Sequence, residues 1–242
     1  MRKIAAATAA LILAAGCTKH DPILPGQRTA IFEESAPTII GGAIENLPMT
    51  AVAKKSDAEC PYTQDASNTI RNGDKKIFSG FPTNNSVKSS QSPVCAGKYV
   101  VAGLTTGEVV KVNPANRHVE WIADVFRPSN MTGGASGLDI VAPIVIDGDA
   151  VYAGGMGEAF CRINLGNGKK KWCAPISVSA PFVIAGPAAF VAGTNGTLYA
   201  VRTSDGAIYW QADIGKCNKI SYENQVVVAC KIKINAVTGK TI

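Results

Sequence analysis

From residue 92 onward, short runs rich in Val, Ile, Tyr and Phe alternate with polar turns, and the pattern recurs along the chain. Pro143 and Pro181 are 38 residues apart, and so are Trp172 and Trp210. The runs are about five residues long and lack the spacing of an amphipathic helix. Asp-Gly and Asn-Gly pairs, which favour tight hairpin turns, separate many of them. The pattern predicts repeated antiparallel sheets.

Four copies of the repeat can be aligned, at about 92–125, 138–175, 176–215 and 216–242. Trp121 lies at the end of the first copy, in the same repeat position as Trp172 and Trp210 in the next two copies. The fourth copy ends where this tryptophan would be expected. One small sheet cannot bury both of its faces, so the copies are expected to stack face to face. This predicts an all-β fold, a β-propeller of about four blades over residues 75–242, with the tryptophans packing between blades.

The segment 75–80 is a short strand candidate upstream of the first copy. The fourth copy lacks most of its outer strand, so we expect Ile77 and Phe78 to supply that strand and close the ring. An open arc of blades is the alternative. Residues 17–74 have no clear periodicity and repeated prolines, and they are interpreted as an irregular tether.

The first residues have the pattern of a bacterial secretion signal. Arg2 and Lys3 precede a twelve-residue apolar stretch that is too short to span a bilayer. The sequence Leu-Ala-Ala-Gly before Cys17 resembles a lipoprotein cleavage box. This resemblance implies a signal peptide over residues 1–16, lipid on Cys17 and, because residue 18 is Thr and not Asp, sorting to the outer membrane. An ordinary secretory signal with an incidental cysteine is the alternative.

Composition narrows the function classes. The chain has a net charge of +6 without a clustered basic run, which is weak evidence for nucleic-acid binding. It has two histidines and none of the ligand spacings of zinc or EF-hand calcium sites, so we predict no metal site and no catalytic triad.

The repeat resembles the pyrroloquinoline-quinone-type propeller repeat, most clearly over residues 194–201, followed by Asp205-Gly206 and Trp210. Within that superfamily, the lipoprotein start with residues 21–28 and the segment 139–148 resemble the BamB family. Members of that family are noncatalytic eight-bladed lipoproteins of the outer-membrane β-barrel assembly machinery. The resemblance implies a shortened scaffold on the periplasmic face of the outer membrane, with BamA as partner and no cofactor.

One acidic residue matches the family's partner-binding loops. Asp139 corresponds to the first acid of a loop that precedes a blade and contacts the partner. The resemblance implies a partner-binding role for Asp139, and a solvated or turn-capping acid is the alternative.

The sequence also bears on two other functions. Quinone-dependent dehydrogenases share these repeats, but they use a vicinal cysteine pair and the sequence has none. No catalytic residue and no bound quinone are therefore predicted. The alternative function is a periplasmic propeller that binds a small molecule or another envelope protein.

Six cysteines remain after Cys17, an even number in an oxidising compartment. A turn centred between residues 223 and 224 places Cys217 opposite Cys230, and a turn at 166–168 places Cys161 opposite Cys173. Elimination then pairs the last two, Cys60 and Cys95. The alternative is that all six are small buried apolar residues.

Overall fold

The structure, a computed structural model, describes residues 38–52, 60–83, 92–126, 138–178 and 180–242. These residues form strands and no helix. The strands group into five antiparallel sheets in chain order, all in one compact unit. The prediction of an all-β propeller is therefore confirmed, with five sheets described where about four blades were expected.

Each sheet is a meander in which neighbours along the chain are neighbours in the sheet. Sheet 1 has β1 (Thr63–Gln64), β2 (Thr69–Asn72) and β3 (Lys75–Ser79). Sheet 2 has β4 (Val94–Ala96), β5 (Tyr99–Gly103), β6 (Glu108–Asn113) and β7 (His118–Asp124). Sheet 3 has β8 (Val145–Asp147), β9 (Ala150–Gly154), β10 (Phe160–Asn164) and β11 (Lys170–Ala174). Sheet 4 has β12 (Val183–Ala185), β13 (Ala188–Ala192), β14 (Thr197–Arg202) and β15 (Ile208–Asp213). Sheet 5 has β16 (Ile220–Glu223), β17 (Val226–Ala229) and β18 (Ile232–Asn235).

The hydrophobic core lies between the sheets. Four clusters of buried residues join sheet 1 to sheet 2, sheet 2 to sheet 3, sheet 3 to sheet 4 and sheet 4 to sheet 5. Every residue of β9 and of β13 is buried, because these strands belong to sheets that have a neighbour on both faces. This explains why the apolar runs are continuous and do not alternate with polar residues.

Each tryptophan packs on a turn of the following sheet. The indole N–H groups of Trp121, Trp172 and Trp210 donate to the carbonyls of Leu165, Thr203 and Ala236, each at 3.0 Å. The ring then covers a glycine three residues further along. The prediction that the tryptophans pack between blades is confirmed.

These glycines cannot be replaced without moving the ring. A Cβ at Gly239 would lie 2.6 Å from Trp210, and one at Gly206 would lie 2.7 Å from Trp172. Both glycines also have a positive φ, +73° and +81°, which disfavours other residues. The repeat therefore pairs a tryptophan in one sheet with a glycine in the next.

The prediction for strand 75–80 is wrong. β3 (Lys75–Ser79) pairs with β2 and belongs to sheet 1, so it does not supply the outer strand of the fourth copy. The turn at Gly73 and Asp74 folds β3 back on β2, and Ile70 and Ile77 are buried against sheet 2. Among the described residues, none of the four clusters joins sheet 5 to sheet 1.

The prediction of an irregular tether over 17–74 is also wrong for its later part, because residues 63–72 form β1 and β2. Asn68 at the β1–β2 turn has a φ of +60°, which is the conformation that Gly107 and Gly196 adopt at the equivalent turns. Asn is one of the few residues that tolerate this left-handed backbone conformation, so it can replace glycine at this turn. The replacement makes the repeat harder to recognise in the sequence.

Residues 38–52 form a strap along sheets 4 and 5. The N–H of Ile40 donates to the carbonyl of Ile208, and that of Val52 donates to Ile184. Between these points, Ile44 and Leu47 are buried in the cluster that joins the two sheets. The Tyr222 hydroxyl donates to the carbonyl of Pro48. This segment is part of the fold and not a free linker.

Candidate functional site

The signal peptide over residues 1–16 and the lipidation site Cys17 lie outside the described residues. Within the described ranges, no helix is long and apolar enough to cross a membrane. Nor do those ranges contain a group of three or more His, Cys, Asp or Glu side chains arranged to hold a metal ion.

Asp139 is buried, with 1% of its surface exposed. It lies in the segment before sheet 3, where its carbonyl accepts from the N–H of Met156 at 3.0 Å. The next residue, Ile140, donates to the carbonyl of Leu104 in sheet 2 at 3.1 Å. Gly155 packs so closely that a Cβ there would lie 2.1 Å from the Asp139 carbonyl oxygen. This placement buries Asp139 between sheets 2 and 3, and its role in partner binding stays a prediction.

The cysteines of sheet 3 face each other across neighbouring strands. Cys161 on β10 and Cys173 on β11 are register partners, and their disulfide joins Cα atoms 4.1 Å apart. Cys161 is fully buried, whereas Cys173 is exposed. The bond therefore ties the outer strand of sheet 3 to its buried neighbour.

Cys217 and Cys230 are also joined, with Cα atoms 5.8 Å apart, but the predicted register is wrong. The turn is centred between Asn224 and Gln225, so Glu223 pairs with Val226. Both turn residues have a positive φ. This is the backbone geometry of a type I′ turn, which joins two strands by a two-residue loop. The N–H of Cys230 consequently donates to Lys219 and not to Cys217. The disulfide forms beyond the end of the ladder, between a loop and a turn.

The third disulfide joins Cys60 to Cys95, with Cα atoms 5.3 Å apart. Cys95 lies on β4, the first strand of sheet 2, and Cys60 precedes sheet 1. The bond therefore fixes the start of sheet 1 to its neighbour. The same contact region holds the buried Asn68, whose side chain donates to Thr105 at 2.8 Å and accepts from the N–H of that residue.

Lys111 is a buried charged residue, with 6% of its surface exposed. Its Nζ donates to the carbonyl of Leu165 at 3.0 Å and lies 4.0 Å from the ring centroid of Tyr99. Burial lowers the pKa of Lys111, while nearby Glu120 acts in the opposite direction. Since Trp121 donates to the same carbonyl, Lys111 serves the packing of sheet 2 on sheet 3.

A small cleft of about 200 Å³ lies between sheets 3 and 4. Its lining mixes polar and apolar side chains: Glu158, Pro175, Ile176, Ser177, Thr194, Asn195 and Tyr199. The Asn195 side chain donates to the Tyr199 hydroxyl at 2.7 Å. The cleft is smaller than the 300–1,000 Å³ typical of pockets for drug-sized ligands.

The segment that contains the repeated sheets, with their paired tryptophans and glycines, also matches the sequence model of a known family. The family model of outer membrane protein assembly factor BamB matches residues 79–212, more than half of the chain. The chain belongs to the BamB family. The match runs from the last residue of β3 to β15, so it includes sheets 2 and 3 and nearly all of sheet 4. No curated protein sequence matches the chain.

Solved structures show the same fold. The crystal structure of BamB from Moraxella catarrhalis aligns with a TM-score of 0.53 and 14% identity, over 81% of this chain and 66% of that one. The chain therefore spans just under two thirds of the length of that BamB. A chain of the mitotic checkpoint complex aligns with a TM-score of 0.51 and 9% identity, over 90% of this chain and 74% of that one. At these identities the likeness concerns the fold alone.

The sequence pattern does not reveal two parts of the compact unit, sheet 1 and the strap. A signal for sheet 1 was present, since Asn68-Thr69-Ile70 aligns with Gly196-Thr197-Leu198 once Asn is accepted in place of Gly. The strap has no repeat signal, because its buried residues Ile44 and Leu47 do not follow the spacing of the strand repeat.

Proposed function

We propose that the chain is a noncatalytic, lipid-anchored scaffold on the periplasmic face of the outer membrane. In this role it helps the assembly machinery insert β-barrel proteins, and BamA is its partner. The observation that supports the proposal is membership of the BamB family over residues 79–212.

The architecture suits a scaffold. Tryptophan contacts and three disulfides hold successive sheets and their loops in fixed positions. A surface that is already ordered before binding loses less conformational entropy when a partner docks. Loops carried on rigid sheets are therefore suited to protein recognition.

Co-purification tests the proposal. The full chain with a C-terminal affinity tag is isolated from detergent-solubilised envelope, and the eluate is probed for BamA. An unrelated tagged outer-membrane lipoprotein is the matched control. We expect BamA to be enriched with the chain and not with the control, and outer-membrane barrel proteins to fall in a deletion strain. Absence of enrichment together with unchanged barrel levels would contradict the proposal.

Membrane attachment is expected to depend on Cys17. Cys17→Ser should remove the protein from the outer-membrane fraction and leave it as a precursor with its signal peptide uncleaved, because neither lipidation nor lipoprotein-type cleavage takes place without the cysteine. Thr18→Asp is the matched control, which should keep the lipid but redirect the protein to the inner membrane. Fractionation with immunoblotting measures both. A Cys17→Ser protein that is processed normally and stays with the outer membrane would show that Cys17 is not the anchor.

The cleft between sheets 3 and 4 supports the second candidate function, the binding of a small molecule. Its polar groups include the Glu158 carboxylate, so a compact polar ligand would fit its size and chemistry. A metabolite-library thermal-shift screen of the purified chain, repeated with Glu158→Gln, tests this candidate. A ligand whose stabilisation disappears in the variant would favour it over the scaffold role.

A further inference from the structure

The positive charge of the chain is concentrated in its last sheet. Residues 214–242 contain five lysines and one acid, Glu223, so they carry +4 of the net +6. Four of these lysines lie before or on β18, and Lys240 follows it. Sheet 5 is therefore the basic part of a chain that is otherwise close to neutral.

The Cys217–Cys230 disulfide brings three of these lysines together. Lys216 precedes Cys217 and Lys231 follows Cys230, and the cysteine Cα atoms are 5.8 Å apart. Because consecutive Cα atoms are about 3.8 Å apart, the Cα atoms of these lysines are within about 13 Å of each other. Lys219 is held at the same place, since its carbonyl accepts from the N–H of Cys230 at 3.0 Å. We call Lys216, Lys219 and Lys231 the terminal basic cluster.

The lysines of this cluster are exposed and unneutralised. All three are exposed, and among the described residues none of them forms an ion pair. The nearest acid along the chain is Asp213, whose carboxylate accepts from the N–H of Gly215 at 3.0 Å. Lys233, two residues beyond Lys231 on β18, is exposed as well and adds to the positive field.

The composition of the surface indicates its partner. Protein-binding hot spots depend on Trp, Tyr and Arg, but residues 214–242 contain no Trp or Arg and their tyrosine, Tyr222, is buried. Hydrated lysines without a neighbouring aromatic side chain are suited to bind a surface whose negative charge is spread out, because each lysine then adds to the binding free energy independently. We propose that the terminal basic cluster adheres to anionic phospholipid headgroups.

This inference rests on the proposed function in one respect, because lipid at Cys17 would bring the chain to a membrane. The cluster would then supply a second, electrostatic contact beside the anchor, and two weak contacts on one chain reinforce each other. Sheet 5 would then lie next to the membrane. The cluster would thus orient the scaffold.

Vesicle binding tests the proposal without the anchor. The chain from residue 17 onward, carrying Cys17→Ser and so lacking both the lipid and the apolar signal peptide, is sedimented with phosphatidylcholine vesicles that contain or lack phosphatidylglycerol. We expect binding only to the anionic vesicles, and weaker binding when salt is raised from about 0.1 M to about 0.5 M. The variant Lys216→Gln/Lys219→Gln/Lys231→Gln should bind roughly a hundredfold more weakly, at about 1 kcal/mol for each lysine.

A matched variant removes the same charge elsewhere. Lys169→Gln/Lys170→Gln/Lys171→Gln neutralises three exposed lysines in and before β11 of sheet 3, and its loss of binding should be at least about tenfold smaller. Equal losses in the two variants, or binding to neutral vesicles, would overturn the proposal. Binding of the cluster to polyglutamate with no binding to vesicles would also overturn it, and would indicate an acidic protein partner.

The two proposals can fail separately. The vesicles contain no BamA, so failure of vesicle binding beside intact co-purification removes only the membrane contact. Loss of co-purification beside intact vesicle binding removes only the scaffold role. Circular dichroism of each variant confirms that a change in binding does not come from unfolding.

Discussion

Trp210→Ala is expected to lower the free energy of unfolding by about 3–5 kcal/mol, as large-to-small aromatic changes in a core do. Trp210 is buried, with its ring centroid 5.7 Å from that of Phe190 and its plane against Gly239. The substitution leaves a cavity between sheets 4 and 5, and it removes the N–H donor of the Ala236 carbonyl. Urea or guanidinium unfolding of the purified chain measures the loss.

Two further variants separate packing from hydrogen bonding. Trp210→Phe keeps an aromatic ring but loses the donor, so its cost should be nearer about 1–3 kcal/mol. Ile122→Ala is the control, because Ile122 is half exposed on the outer strand of sheet 2 and should change stability by about 0.5 kcal/mol or less. A Trp210→Ala protein as stable as Ile122→Ala would mean that the tryptophan contact does not hold the sheets together.

Asp139→Arg should lower the free energy of unfolding by about 3 kcal/mol or more, because a guanidinium would be placed where 1% of the surface is exposed. Any loss of BamA co-purification would then follow from damage between sheets 2 and 3. Chemical unfolding and co-purification, measured on the same preparation, distinguish the two effects.

Asp124→Arg is the matched control for Asp139→Arg. Asp124 is exposed at the end of β7, so the same change of charge should leave stability within about 0.5 kcal/mol of the parent. If Asp139→Arg kept its stability while co-purification with BamA fell, the carboxylate would belong to a contact surface. The prediction that the burial of Asp139 is needed for stability would then be wrong.

The repeated strands could be predicted because their determinants are local. Hairpin turns depend on residues that tolerate a positive φ, and glycine marks them at Gly168 and Gly206. The pairing of Cys161 with Cys173 followed from such a turn, since the register of a hairpin is set by its loop. The register of sheet 5 could not be predicted in this way, because Asn224 and Gln225 form the turn without glycine.

By itself, the sequence determined the all-β class, the sheet-by-sheet repeat and the packing role of the tryptophans, because these depend on spacing and turn chemistry within about 40 residues. The tertiary structure decided the rest. It placed β3 in sheet 1, buried Asp139 between two sheets and bound the strap to sheets 4 and 5. Each of these outcomes depends on contacts between distant segments, and the strap bonds to residues more than 130 positions away. Such contacts depend on which apolar surfaces pack together in the folded chain. The local sequence of one segment does not specify its distant partner.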